Sequence, residues 1–214
     1  MTTAPCACLS VKFDHAPHDA PAAAHDMLCE EIAELAKTFD FFPLAAHEAG
    51  HAVAAAIIGR PAKYVTISLS GPHTMYSDVP GDTRVLASIF CTVAGKVGDA
   101  VATSSGWFPS WPLLASYIER ARAGEGVGHC DCCQDARLLV ESFQHMDDQA
   151  LVENWREMFR LAFDVFYDDD VRGALLSVAS ALIDKTILHQ DEIAQICDRY
   201  SLPTFKEIIP CNAS

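Results

Sequence analysis

The sequence predicts a mainly α fold, a helical bundle with a minimal β-sheet, on three observations. Half of the 214 residues are hydrophobic, which is enough for the buried core of one sizeable domain. Apolar residues recur at helical spacing through most of the chain. The alternation of a half-buried strand is clear only over residues 64–70. We expect residues 1–26 to be a disordered leader, since they lack a periodic apolar face, and residues 27–214 to form the domain.

Helix-breaking residues and the spacing of apolar residues predict the order of the helices and strands. A first helix is predicted over residues 27–39, and Pro43 suits the first turn of a second helix that ends before Gly59. The strand over residues 64–70 comes next, followed by a mostly buried helix over residues 83–103. Further helices are predicted over residues 113–123, 132–145, 149–167, 171–185 and 192–200.

Charge and composition narrow the class of partner. The formal net charge of −14, with only 15 Lys and Arg, argues against binding to nucleic acid or to an anionic membrane surface, because both depend on neutralising phosphate. Peptides and proteins remain as partners. The first residues lack a signal-peptide pattern, and Lys96 and Asp99 interrupt the longest apolar stretch, Val85 to Ala102. Nine cysteines, an odd number, suit free thiols in a reducing compartment. We therefore expect a cytoplasmic protein without a membrane span.

The segment His47-Glu48-Ala49-Gly50-His51 lies in the second predicted helix and carries residues typical of metal chemistry. Residues four apart share a helix face, so both imidazoles can bind one ion, and this H-E-x-x-H spacing suits zinc. Glu48 lies on the flank of that face, where its carboxylate can reach a metal-bound water and act as general base. Small Ala49 and Gly50 are expected to leave room around the ion. The alternatives are metal binding without catalysis and a helix that serves only packing or solubility.

The third ligand must come from elsewhere, since a catalytic zinc site takes three protein ligands and a water. The candidates are Asp131, His129, Asp99, Cys130, Cys132 and Cys133. Asp131 follows a glycine-rich turn and precedes a predicted helix, a place from which a loop can deliver a carboxylate. With Gln134 it also fits a helix N-cap and its capping-box partner, so spacing alone leaves ligand and cap equal. The Cys-His-Asp cluster at residues 129–133 could instead supply half of the ligands of a structural zinc site. The sequence lacks the usual pair of C-x-x-C motifs or their equivalent.

The segment HEAGHAVAAAIIG at 47–59 resembles the peptidase domain of the FtsH family of ATP-dependent zinc metalloproteases. Residues 64–80 resemble the family's substrate-side strand and the loop after it, and AGKVGDAVAT at 94–103 is similar to its small-residue helix. CDCCQDARLLVE at 130–141 resembles the helix start whose Asp completes the zinc site in the family. ALIDKTILHQDEI at 181–193 is similar to the terminal helix pair, so the resemblance extends from about residue 44 to about residue 195.

The resemblance implies a zincin-like metallopeptidase domain in which His47, His51 and Asp131 bind a zinc ion and Glu48 is the general base. The implied reaction is hydrolysis of peptide bonds in a peptide or an unfolded protein. We expect the strand over residues 64–70 to pair with the extended substrate through main-chain hydrogen bonds. The alternative function is a zinc-binding, catalytically inactive, peptidase-like interaction module.

Two departures from the family pattern limit what the resemblance implies. Asp99 takes the acidic position of the small-residue helix and is expected to orient a ligand histidine, but it follows Gly98 where the family favours Ala then Glu. The sequence has no phosphate-binding G-x-x-x-x-G-K-[ST] loop, so ATP-driven unfolding is not carried over. A separate ATPase partner and a homo-oligomer both stay open.

Overall fold

The computed structural model describes residues 41–67, 73–76, 84–124 and 130–209, which form a mainly helical fold with a small three-stranded sheet. The predicted fold class is confirmed at that level. Residues 1–40, which include the predicted leader and the first predicted helix, lie outside the described residues. In chain order the elements are α1 (Phe42–Ile57), β1 (Ala62–Thr66), β2 (His73–Tyr76), α2 (Arg84–Thr103), α3 (Trp111–Arg122), α4 (Asp131–Ser142), α5 (Asp148–Phe166), α6 (Asp169–Lys185), β3 (Ile187–His189), α7 (Gln190–Cys197) and α8 (Phe205–Ile208).

The predicted helices that fall on described residues are all present, with each end within three residues of its predicted position. The sequence analysis missed α8 and two of the strands. The strand β2 lies in a region predicted as loop, and β3 is three residues long. Neither segment is long enough to display the alternation by which a strand is detected in a sequence.

Helix α1 is the central helix of the core. Pro43 lies in its first turn, and the chain leaves it through Gly59, whose φ of 70° is a left-handed conformation suited to glycine. Its residues are buried on nearly every side because α2, α6 and the sheet pack around it. Most of the buried positions are alanine, so the neighbouring elements approach the α1 backbone closely.

The contact between α1 and α2 depends on glycines that leave no space for a side chain. A Cβ added at Gly50 would overlap the Ala94 carbonyl oxygen of α2. A Cβ added at Gly98 would lie 2.8 Å from the Ala46 carbonyl oxygen and 2.9 Å from the Cα of Gly50. The two helices therefore meet backbone against backbone, and this brings the face of α1 that carries the histidines against α2.

Helices α5 and α6 complete the core and begin at well-defined caps. The Asp147 carboxylate accepts a hydrogen bond of 2.8 Å from the Ala150 amide, and Asp168 accepts one of 2.9 Å from the Asp170 amide. The largest fully buried side chains of α5 are aromatic: Trp155, Phe159 and Phe166. Helix α5 packs against α2 and α3, and these aromatic side chains belong to the same core as the alanines of α1.

The sheet has the order β2-β1-β3, with both pairs antiparallel. Residues Tyr64, Val65 and Thr66 of β1 are paired on one side with β2 and on the other with β3. The expectation that this strand pairs with a substrate peptide is therefore wrong for residues 64–66, because their main-chain groups are already used by two neighbours. The strand also ends at Thr66, and residues 68–70 of the predicted strand lie outside the described residues.

One segment of the described residues, Val85–Thr103 in α2, is long and apolar enough to cross a membrane by length and composition alone. The core helix of a globular domain has the same properties. Within the fold, 61% of this segment is buried, and it lies between α1 and α5.

The glycine contact predicts an unequal response to two equivalent substitutions. Gly50→Ala should lower the free energy of unfolding by about 1–3 kcal/mol, because the new methyl meets main-chain atoms that cannot rotate away. Gly173→Ala on α6 is the comparison, since the three atoms nearest to its Cβ would belong to the side-chain ring of Tyr200 and not to the main chain. Urea denaturation of both variants measures the difference. Equal stability of Gly50→Ala and the wild type would contradict the described packing.

Candidate metal centre

His47 and His51 lie one turn apart on α1 with their imidazoles directed to the same point. The ring centroids are 4.8 Å apart and the rings are nearly perpendicular, at 86°. The two Nε2 atoms are 3.1 Å apart. His51 is buried, whereas the side chain of His47 retains 15% of its exposure. The spacing of four residues therefore brings both ring nitrogens to one site, as the sequence predicts.

Asp131 reaches the same point from the first turn of α4. Its Oδ2 atom is 2.9 Å from the His47 Nε2 and 3.4 Å from the His51 Nε2. The N-cap residue of α4 is Cys130, in extended conformation and without a side-chain cap hydrogen bond, so Asp131 is the first residue inside the helix. The capping interpretation of Asp131 is therefore wrong, and its carboxylate faces the histidines instead.

The three donor atoms fit the size of a metal ion. A tetrahedral zinc site with bonds of about 2.0–2.1 Å has donor atoms about 3.3–3.4 Å apart. The observed separations of 2.9, 3.1 and 3.4 Å are close to these edges. Among the described residues, this is the one group of three or more His, Cys, Asp or Glu side chains arranged to hold an ion. His47, His51 and Asp131 can therefore hold a metal ion.

A main-chain carbonyl fixes the ring of His51. The Nδ1 atom lies 2.7 Å from the Cys91 carbonyl oxygen of α2, and because a carbonyl only accepts, Nδ1 must carry the proton. The lone pair of neutral His51 is then on Nε2, the atom that faces Asp131. Burial raises the pKa of the Cys91 thiol to about 12, so the thiol stays protonated. Cys91 orients the imidazole through its main-chain carbonyl.

The negative charge of Asp131 dominates the electrostatics of the site. Burial lowers the pKa of His51, but the Asp131 carboxylate outweighs it and, with Glu48 and the Cys91 carbonyl, raises the pKa to about 9. Burial raises the pKa of Asp131, and the two imidazoles outweigh it, so that this pKa lies well below its usual range. A carboxylate held ionised between two imidazoles is a suitable ligand set for a cation.

Gly95 of α2 leaves the space that the two rings occupy. A Cβ at this position would overlap the His51 Nε2 atom and would lie 2.8 Å from the His47 Cε1 atom. The sequence analysis expected Ala49 and Gly50 to leave room around the ion, whereas Gly50 faces the Ala94 carbonyl and serves the contact between helices. The glycine that makes room for the rings is on the neighbouring helix, where no spacing rule within α1 can find it.

Glu48 lies beside the three ligands without joining them. It is buried, with 4% of its surface exposed, and its charge contributes to the raised pKa of His51. Its Oε2 atom accepts a hydrogen bond of 2.9 Å from the Thr74 hydroxyl of β2. The sequence analysis did not identify Thr74, because the residue falls in a segment predicted as loop.

The other candidate ligands lie outside the group of three, as far as the described residues show. Burial raises the pKa of Asp99, while His47 and Lys96 lower it, so Asp99 is an electrostatic neighbour of the site. Cys130 is partly buried, and Cys132 and Cys133 are buried. His129 lies outside the described residues.

A second buried acid lies behind the site and was also missed by the sequence analysis. Asp135, one turn after Asp131, accepts a hydrogen bond of 3.2 Å from the Trp155 indole. Burial raises its pKa well above the usual range, and the charge of Asp131 adds to this. The Trp155 indole and the Thr92 hydroxyl lower this pKa by a smaller amount. Within the described part of the chain, Oδ1 accepts no hydrogen bond of good geometry.

Comparison with known proteins adds no relative. No protein-family model matches the chain, and no curated protein matches it.

Because the Asp131 carboxylate faces both His47 and His51, we predict that the affinity for a metal ion depends on the charge of Asp131. Asp131→Asn should weaken binding of Zn²⁺ by about tenfold or more, because the amide is a poorer ligand than a carboxylate that faces both histidines. Asp148→Asn, in the first turn of α5, is the matched control and should leave affinity unchanged. Competition titration against a chromophoric chelator measures both. Equal affinity for the wild type and Asp131→Asn would exclude Asp131 as a ligand.

Proposed function

We propose that this chain is a zinc-dependent metallopeptidase with a zincin-like domain. The observation that carries the proposal is the convergence of His47, His51 and Asp131 on one point, with the buried Glu48 carboxylate next to it. Two imidazoles and one carboxylate are a common donor set of catalytic zinc sites, whereas structural sites favour thiolates. The buried thiols of Cys132 and Cys133 are nearby in sequence but lie outside the group.

Each residue has a defined task in this proposal. A bound zinc ion would supply Lewis acidity, which polarises a peptide carbonyl and makes a water molecule easier to deprotonate. His47, His51 and Asp131 hold the ion. Glu48 accepts a proton from the attacking water and donates it to the leaving amine, so that a peptide bond is exchanged for a carboxylate and an amine. Cys91 holds the His51 ring through its carbonyl.

The edge strand β2 is the better candidate for binding an extended peptide. Among the described residues it has a neighbour on one side only, β1, whereas β1 is paired on both sides. Thr74 of β2 contacts Glu48, so a peptide added along this strand would lie close to the general base. We propose this edge in place of the strand over residues 64–70.

The placement of Asp131 supports the resemblance to the FtsH peptidase domain. The family resemblance implies that an Asp at a helix start completes the zinc site, and Asp131 lies in the first turn of α4 with its carboxylate against both histidines. We extend the proposal to an unfolded protein or peptide as substrate and to a cytoplasmic location. A separate ATPase partner would then supply any unfolding activity.

Replacing the general base Glu48 should lower the rate of hydrolysis without lowering the zinc content. Glu48→Gln should lower the rate of hydrolysis of an unfolded protein by about 10²–10⁴-fold, because it removes proton transfer, while zinc content stays at one per chain. Glu141→Gln, an exposed side chain of α4, is the control and should keep full activity. Unchanged hydrolysis in Glu48→Gln would refute the mechanism. Bound zinc without hydrolysis in the wild type would instead identify a metal-stabilised interaction module.

Metal removal predicts a reversible loss of both activity and stability. A chelator should abolish hydrolysis and lower the urea midpoint, because a ligand that binds only the folded state stabilises that state. Addition of one equivalent of Zn²⁺ should restore both properties, and addition of Mg²⁺ should not, since Mg²⁺ prefers oxygen ligands. Activity that persists after complete chelation, verified by elemental analysis, would refute a metal-dependent reaction.

A further inference from the structure

Among the side chains of β2 that the structure describes, Thr74 is the one that faces the candidate metal centre. His73 and Met75 are exposed, whereas Thr74 between them is partly buried and turned toward α1. This alternation is the ordinary period of a strand, so the position that points inward is set by the pairing of Val65 with Thr74. The inward side chain lies opposite Glu48 and has a hydroxyl.

The Thr74 hydroxyl has two acceptors within reach, and both belong to Glu48. It is 2.9 Å from the Oε2 atom of the carboxylate and 3.3 Å from the main-chain carbonyl oxygen. A hydroxyl has one proton to donate, and the shorter bond to the charged acceptor is the stronger of the two. The hydrogen bond therefore joins the sheet to the side chain of the general base.

The Glu48 carboxylate needs such a donor because it is almost fully buried. A buried carboxylate without hydrogen bonds is costly, and a free one can rotate among several rotamers. Among the described residues, Thr74 is the side chain that donates to it. Oε2 is thereby fixed, and the other carboxylate oxygen is left to accept a proton.

We infer that Thr74 is a positioning residue for Glu48, which holds the carboxylate in the orientation that proton transfer requires. The inference rests on the proposed function, since it concerns the same general base. Because Thr74 belongs to the edge strand, a peptide that pairs with β2 would order the residue that orients the base. The Thr74 hydroxyl would then link the binding of a peptide along β2 to the orientation of the Glu48 carboxylate.

Three variants separate this role from a structural one. Thr74→Val keeps the size of the side chain and removes the hydroxyl, and Thr74→Ser restores a hydroxyl. Thr66→Val is the matched control, because Thr66 lies on β1 and its hydroxyl donates to the Thr186 carbonyl, away from Glu48. All are measured as zinc-loaded full-length chains with a fluorescently quenched unfolded protein as substrate.

The proposal predicts a loss of kcat with little change in KM. Thr74→Val should lower kcat by about 10- to 100-fold, since a misplaced base costs this much, while zinc content is unchanged. Thr74→Ser should recover most of the rate, and Thr66→Val should keep the wild-type kcat. A kcat of Thr74→Val equal to that of Thr66→Val would overturn the positioning role while leaving the peptidase intact. A wild type without hydrolysis in the presence of bound zinc would overturn both proposals.

A second measurement tests the contact without reference to activity. In urea denaturation, Thr74→Val should lower the midpoint in the wild-type background and have a clearly smaller effect in the Glu48→Ala background, because the hydrogen bond is already absent there. Additive midpoint shifts would show that the two side chains do not interact and would overturn the inference. Coupled shifts together with an unchanged kcat would also overturn it, because the contact would then serve stability alone.

Discussion

The backbone contact between α1 and α2 is the constraint on which the candidate site depends. Gly50 and Gly98 let the two helices touch without side chains between them, and Gly95 leaves a space for the two imidazoles. At this separation the Cys91 carbonyl reaches the Nδ1 atom of His51. A wider separation would leave the Nδ1 atom of His51 without this partner. The glycines thus determine the orientation of a ligand, beyond their effect on packing.

Polar groups in so apolar an environment must be paired, and each pairing joins α1 or α4 to a different element. His51 is bound by α2, Glu48 by β2 and Asp135 by the indole of Trp155 on α5. Because an unpaired buried polar group costs about 1–3 kcal/mol, these hydrogen bonds select one arrangement of the elements. Asp135 holds α4 against α5 with one oxygen. Its neutral form is the less costly one to bury, which agrees with its raised pKa.

The sequence predicted those parts of the site that depend on spacing within one helix. His47, Glu48 and His51 need only the period of α1, and the helices themselves follow from apolar periodicity and breakers. The contributions of other elements could not be derived in this way. Spacing left Asp131 open between ligand and cap, and only the resemblance to a family favoured the ligand. Gly95 and Thr74 contact the site through tertiary packing, which leaves no local signal in their own segments.

The charges of the candidate ligands also determine the kind of chemistry that the site can support. Two neutral imidazoles and one carboxylate would leave a bound Zn²⁺ with a net positive charge, so the ion keeps its ability to polarise a carbonyl. A site of four thiolates would cancel that charge and favour a structural role. The ligands come from α1 and α4, and the base is held by β2, so the arrangement exists only when the domain is folded. A metal ion bound here would therefore stabilise the arrangement of helices and sheet that brings His47, His51, Asp131 and Glu48 together.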